Sequence, residues 1–147
     1  MVEHNFPREP FVECFEKHVK DPDQQVDSVT VMCIHRCYYD AIGMFSGGKL
    51  VADKYRQYRD TLEPDLHEAF SWAMKFCAAF VTKAIGATAE LKSLRCNPVP
   101  YLYNRCLSEA GLVNCPASHW MNSSLCTELV QKLKAKYGTK IQLPTAA

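Results

Sequence analysis

Val29-Thr30-Val31-Met32-Cys33-Ile34-His35-Arg36-Cys37-Tyr38-Tyr39-Asp40-Ala41, residues 29–41, is the stretch on which the fold turns. Its first three residues favour a strand by propensity. Val29, Cys33, Cys37 and Ala41, however, recur every four residues, the period of a helix face. In a helix Cys33 and Cys37 project from one side. Each can then bridge to a different neighbouring segment and staple three elements together.

The other cysteines are Cys14, Cys77, Cys96, Cys106, Cys115 and Cys126, eight in 147 residues. An even count at this density reads as a disulfide framework formed in an oxidising compartment. Spacing alone leaves about 105 pairings open. Zinc is the rival reading of Cys33, His35 and Cys37. On a helix His35 points away from both cysteines, and the chain has no Cys-x-x-Cys pair of the kind structural zinc sites favour. No metal is expected.

Outward from residues 29–41 the chain reads as amphipathic helix cut by Pro and Gly. Pro10 suits the first turn of a helix over 9–18, with Phe11, Cys14, Phe15 and His18 on one face. A second helix spans 26–42 and stops at Gly43 and Ser46-Gly47-Gly48. A shorter one covers 50–59. The clearest, 64–84, carries the stripe Leu66, Ala69, Phe70, Ala73, Phe76, Cys77, Phe80, Val81 and Ala84. Trp72 and Met74 lie off that stripe, so this helix is covered on more than one side. Residues 86–94 are ambiguous and 96–100 form a turn. A helix over 101–110 ends at Gly111. The last begins near Asn122-Ser123-Ser124, good N-caps that also match a glycosylation sequon, and stops at Gly138, with Leu125, Leu129, Val130 and Leu133 inward. The whole, 1–147, is one all-α domain of about six helices stapled by four disulfides, with 1–8 and 139–147 as flexible or loosely packed ends.

Seventeen Lys and Arg balance sixteen Asp and Glu, a formal charge of +1. No block of like charge offers a surface to nucleic acid or an anionic membrane. The longest apolar run, 76–81, is far too short to span a bilayer. Met1-Val2-Glu3-His4 is polar and lacks the apolar core of a signal peptide. If the protein is secreted, as the cysteine count suggests, this is its mature form. No nucleophile–base pair, paired carboxylates or cofactor motif stands out, so neither catalysis nor a cofactor is expected. A secreted phospholipase would need Cys-Cys-x-x-His-Asp, and here His35 precedes Arg36.

The gaps between the cysteines hold 18, 3, 39, 18, 9, 8 and 10 residues, and Pro116 follows Cys115. Cys33-x3-Cys37, the 39 residues from Cys37 to Cys77, and Cys106-x8-Cys115 resemble the pattern of insect odorant-binding proteins. The extra Cys96 and Cys126, with the proline after Cys115, resemble the Plus-C subgroup of that family. Residues 42–50 also look like the family's loop between helices, and the resemblance covers about 11–130. It implies a secreted carrier, active in olfaction and transport, that holds an odorant- or pheromone-like molecule in an apolar cavity inside the helices. The pairing it implies is Cys14–Cys37, Cys33–Cys106 and Cys77–Cys115, which leaves Cys96–Cys126. The partner would be a small hydrophobic ligand, with a membrane receptor or a second copy of the chain as further partners, and no nucleic acid.

Pocket walls are expected from inward positions on several helices: Phe15, Val29, Phe70, Ala73, Phe76, Phe80, Leu102, Leu107, Leu129 and Leu133. Plain core packing is the competing role for each. Tyr38, Tyr101 or Tyr103 can supply one orienting hydroxyl. Trp120 either caps the pocket or packs on a disulfide, and His18, His35, His67 and His119 are the candidates for pH sensitivity. An empty cavity costs roughly 24 cal/mol per Å³, so about 300 Å³ costs about 7 kcal/mol, comparable to the whole stability of a domain. Disulfides, at about 2–4 kcal/mol each, make such a hollow shell tenable. Two rivals remain: a related salivary-type scavenger of amines or lipids, which would need an acidic pocket residue, and a stapled extracellular interaction protein with a filled core.

Overall fold

The computed structural model describes residues 6–116 and 124–144. Helices dominate: α1 (Arg8–His18), α2 (Ser28–Ala41), α3 (Ala52–Thr61), α4 (His67–Ala87), the single turn α5 (Ala89–Lys92), α6 (Val99–Val113) and α7 (Ser124–Tyr137). Short 3₁₀ turns, Pro64–Leu66 and Thr139–Ile141, precede α4 and follow α7. A two-residue hairpin, β1 (Phe45–Ser46) with β2 (Lys49–Leu50), joins α2 to α3.

The deciding stretch is helical despite its β-branched start. Asp27 caps it, its carboxylate accepting from the Thr30 amide at 2.7 Å, which satisfies one of the orphan donors of the first turn. Gly47 and Gly48 follow with φ of 59° and 76°, the left-handed pair that a tight two-residue hairpin needs. Gly138, at φ 80°, ends α7, and its amide bonds back to the Lys134 carbonyl. Gly111, by contrast, does not end α6. The helix runs on to Val113 and Asn114 closes it, its side-chain amide donating to the Ala110 carbonyl at 2.9 Å.

The main core lies where α4 meets α6, around Ala73, Cys77, Val81, Tyr103, Cys106, Leu107 and Ala110, with Tyr55 from α3 and Met44 from the hairpin. Ala73, Cys77, Cys106 and Ala110 are fully buried; small residues let the two helices approach closely. A second, smaller cluster of Cys14, Val19, Ile34 and Tyr38 seats α1 on α2.

Three disulfides lock this arrangement: Cys14–Cys37 (α1 to α2), Cys33–Cys96 (α2 to the turn before α6) and Cys77–Cys106 (α4 to α6). Their Cα separations of 5.8, 5.2 and 5.7 Å are ordinary. The first agrees with the pairing the resemblance implied; the others correct it. Cys106 sits within the α4–α6 seam and is bonded to Cys77, and Cys33 meets Cys96 instead. Cys96–Cys126 is thereby ruled out, and Cys115 and Cys126 belong to none of these three bridges. Burial, with the nearby Asp65 charge, pushes the Cys115 thiol up from its ordinary pKa.

The described parts of the ends, 6–8 and 139–144, pack more tightly than the sequence suggested. Ile141 is fully buried. Its carbonyl accepts from the Trp72 indole at 3.1 Å and from the Asn114 side chain at 2.8 Å. The Leu143 amide donates to Asn114 Oδ1 at 2.6 Å. Trp72 thus lies off the α4 stripe because the tail covers that side. At the other end the Pro7 carbonyl accepts from the Tyr38 hydroxyl. Trp120, His119 and the Asn122 sequon lie outside the described residues.

Candidate functional site

Five helices and the residues just before α1 surround a cavity of about 530 Å³. Three helices each give it one face at helical spacing. From α2 come His35, Tyr38 and Tyr39; from α6, Asn104, Leu107 and Ser108; from α3, Tyr55 and Tyr58, continued by Leu62. Phe70 of α4, Phe11 of α1 and residues 6–8 complete the wall.

Aromatic edge-to-face contacts hold these walls. Phe6 meets Tyr58 at 4.9 Å between ring centroids, and Tyr58 meets Phe70 at 5.5 Å. Phe11 meets Tyr38 at 5.5 Å and His35 at 5.8 Å. Such pairs add about 0.5–1.5 kcal/mol each beyond the area they bury.

Several polar groups of the lining are already engaged. The Tyr55 hydroxyl donates to Asn104 Oδ1 at 3.0 Å, and Asn104 Nδ2 donates to the Pro100 carbonyl at 2.7 Å. Tyr38 donates to Pro7 at 2.9 Å, and Ser108 to the Asn104 carbonyl at 3.2 Å. His35 Nδ1 lies 2.8 Å from the Val31 carbonyl. A carbonyl only accepts, so Nδ1 carries the hydrogen and Nε2 of the neutral ring is an acceptor. Burial pushes the Tyr39 hydroxyl up to about 12 and raises Tyr58 and Tyr55 as well. These tyrosines are neutral at physiological pH. Among the described residues Arg8 is the only formally charged one in the lining, and none of them brings a carboxylate to the cavity.

Of the ten wall positions expected from the sequence, Phe70 and Leu107 line this cavity. Ala73 is fully buried in the core, and Leu133 is buried too. Phe76 and Phe80 stack on each other and meet Tyr137, at 6.0 and 4.8 Å, on the α7 side of α4. Leu102 packs against the main core, and Val29 is half-buried at the start of α2. Phe15 and Leu129 are 40% and 44% exposed. Phe15 lies outside the face that α1 turns to α2, and α7 is rotated so that, of Leu129, Val130 and Leu133, Leu133 is the one deeply buried. Of the three tyrosines offered as the orienting hydroxyl, Tyr38 lines the cavity; Tyr101 and Tyr103 do not. Sequence reasoning missed most of the wall because it searched for stripes of aliphatic and phenylalanine side chains. The signal it passed over was tyrosine, histidine and asparagine recurring at three and four residues.

A second cavity, about 450 Å³, lies beside Cys33, Cys37 and Cys96 and is lined by Lys17, His18, Arg36, Asp40 and Ala41. Burial, then the charges of Lys17, Arg95 and Lys20, lowers the His18 pKa. This polar, charged hollow does not suit an apolar molecule.

Among the described residues no three His, Cys, Asp or Glu side chains are grouped to hold a metal ion. No described helix is long and apolar enough to cross a membrane. Comparison with family models, with characterised proteins and with solved structures finds no match.

Proposed function

We propose that this protein is a secreted, non-catalytic carrier that reversibly holds one small hydrophobic molecule in the cavity between α2, α3, α4 and α6. The observation that carries this reading is the cavity itself. At about 530 Å³ it falls in the size range of small-molecule sites, roughly 300–1,000 Å³, and has their mostly apolar and aromatic lining with a few placed polar groups. An apolar ligand entering it leaves water and gains about 25 cal/mol per Å² of apolar surface removed.

The bridges support the same reading. Among the first six cysteines the first pairs with the third, the second with the fifth and the fourth with the sixth. This is the interlocked order that the resemblance to odorant-binding proteins implies, with Cys96 and Cys106 in the last two places instead of Cys106 and Cys115. Three disulfides also suit an extracellular location. A scavenger of amines receives no support, because the described residues of the lining hold no carboxylate.

The test is a titration of the oxidised protein with a hydrophobic fluorescent probe, repeated after reduction and on Ser108→Trp. Ser108 is exposed at the rim, so an indole there can fill the cavity without disturbing the core. Saturable binding near one probe per chain, lost on reduction and weakened by the tryptophan, is expected. Absence of binding, or diffuse binding indifferent to both changes, would remove the carrier.

A further inference from the structure

The polar groups facing the cavity divide into those already satisfied and those left over. Asn104, Tyr55, Tyr38 and Ser108 are hydrogen-bonded within the protein. The Tyr39 hydroxyl has no hydrogen-bond partner among the described residues, nor has His35 Nε2. Both residues lie on one face of α2, four apart, with rings 6.2 Å between centroids and tilted by 30°. Phe11 and Tyr101 pack edge-on against the His35 ring, with centroids 5.8 and 5.0 Å away. The Val31 carbonyl fixes which ring nitrogen is protonated. The result is a fixed acceptor beside a hydroxyl that can donate, in a wall otherwise aromatic. Leaving such groups desolvated and unpaired is costly.

From this arrangement we infer that the cavity selects a neutral molecule bearing one hydroxyl on an apolar, ring-sized body, an alcohol or a phenol. The ligand O–H donates to His35 Nε2, and its oxygen accepts from Tyr39. A ketone, ether or ester can accept from Tyr39 but leaves Nε2 unpaired. A hydrocarbon leaves both unpaired. An amine would bring a cation next to Arg8 with no carboxylate among the described wall residues to meet it. The volume, at about 30 Å³ per water-sized group, admits at most roughly 18 non-hydrogen atoms. This inference rests on the carrier reading and narrows its ligand.

The experiment compares 2-naphthol, 2-methoxynaphthalene, naphthalene and 2-naphthoate as competitors of a bound fluorescent probe on the oxidised protein. One net hydrogen bond corresponds to roughly 3- to 10-fold in affinity. 2-Naphthol is therefore expected to bind about 3- to 10-fold tighter than the methyl ether, and the ether tighter than naphthalene by a similar factor. His35→Leu should erase the first difference and Tyr39→Phe the second. His35→Gln, which restores an acceptor, should recover part of the first. Equal affinity of naphthol and ether in the unmodified protein overturns the inference and leaves the carrier standing. So does naphthoate binding tightest with the advantage lost in Arg8→Gln. Failure of the probe and of all four compounds to bind overturns the inference and the carrier together.

Discussion

The Tyr38 hydroxyl donates to the Pro7 carbonyl at 2.9 Å, across 31 residues of sequence. It ties the segment before α1 to the middle of α2, and both line the cavity. The segment is therefore a strap over the site, held by one hydrogen bond and by Phe6 against Tyr58. Tyr38→Phe keeps the ring in place and removes the tie. The expected cost in stability is about 0.5–1.5 kcal/mol. Ligand dissociation should accelerate more than association, because the strap hinders exit from a filled site. Stopped-flow displacement of a fluorescent probe checks this; unchanged dissociation would mean that ligands leave by another route.

Peptide mapping under non-reducing, acidic conditions should recover Cys14–Cys37, Cys33–Cys96 and Cys77–Cys106 as linked pairs. Replacing Cys33 and Cys96 together by serine opens the bridge with the longest span, 63 residues. A loss of about 2–5 kcal/mol is expected in denaturant unfolding. Recovery of a Cys33–Cys106 peptide would contradict the α4–α6 seam itself.

Alkali should unfold the protein in a defined window. Burial raises Tyr39 and Tyr103 to about 12, while in the unfolded chain both ionise near 10. Their neutral forms are thus favoured by folding. That stability is intact below pH 10 and is lost as pH rises toward 12, since the unfolded chain releases protons first. Tyrosinate absorbance should rise late in the native protein and near pH 10 in denaturant. Coincident curves would show these rings to be solvated.

Acid acts through Asp27. The hydrogen bond from Thr30 holds its carboxyl below the ordinary carboxylate range. A depressed acid contributes stability above its unfolded pKa of about 3.8, lost as pH falls through the folded value. Asp27→Ala should lower the thermal midpoint at pH 7, and less so in strong acid, where the wild-type carboxylate is protonated. Asp27→Asn, which keeps the capping oxygen, should recover most of the loss at pH 7. Melting curves across this range check it.

Much of the helical layout was legible in the sequence because caps and breakers act locally. Pro10, Gly43 and Gly138 mark true boundaries. Gly111 misled because a glycine inside a helix costs only about 1 kcal/mol, which the α4–α6 seam outweighs. The Cys14–Cys37 bridge is the one the resemblance implied. The other two keep its order but close on different cysteines, since a gap of eight residues and a gap of nine are equally good until the packing of Cys77 against α6 is known. The cavity was the least legible part. Tyr55 and Tyr58 sit in α3 among Asp53, Lys54, Arg56, Gln57, Arg59 and Asp60, a segment any hydropathy pattern assigns to solvent. Only the tertiary approach of α3 to α6, through Tyr55 and Asn104, turns that face inward.

The three bridges overlap along the chain: 14 to 37, 33 to 96, 77 to 106. Every peptide bond between Cys14 and Cys106 therefore lies inside at least one covalent ring. A protease that cuts this stretch once releases nothing, because the two pieces stay joined through sulfur. Beyond Cys106 these rings offer no such insurance. A cut there falls outside all three rings, on the stretch that carries α7 and Ile141, the plug of the main core, so proteolytic wear should begin at that end of the molecule.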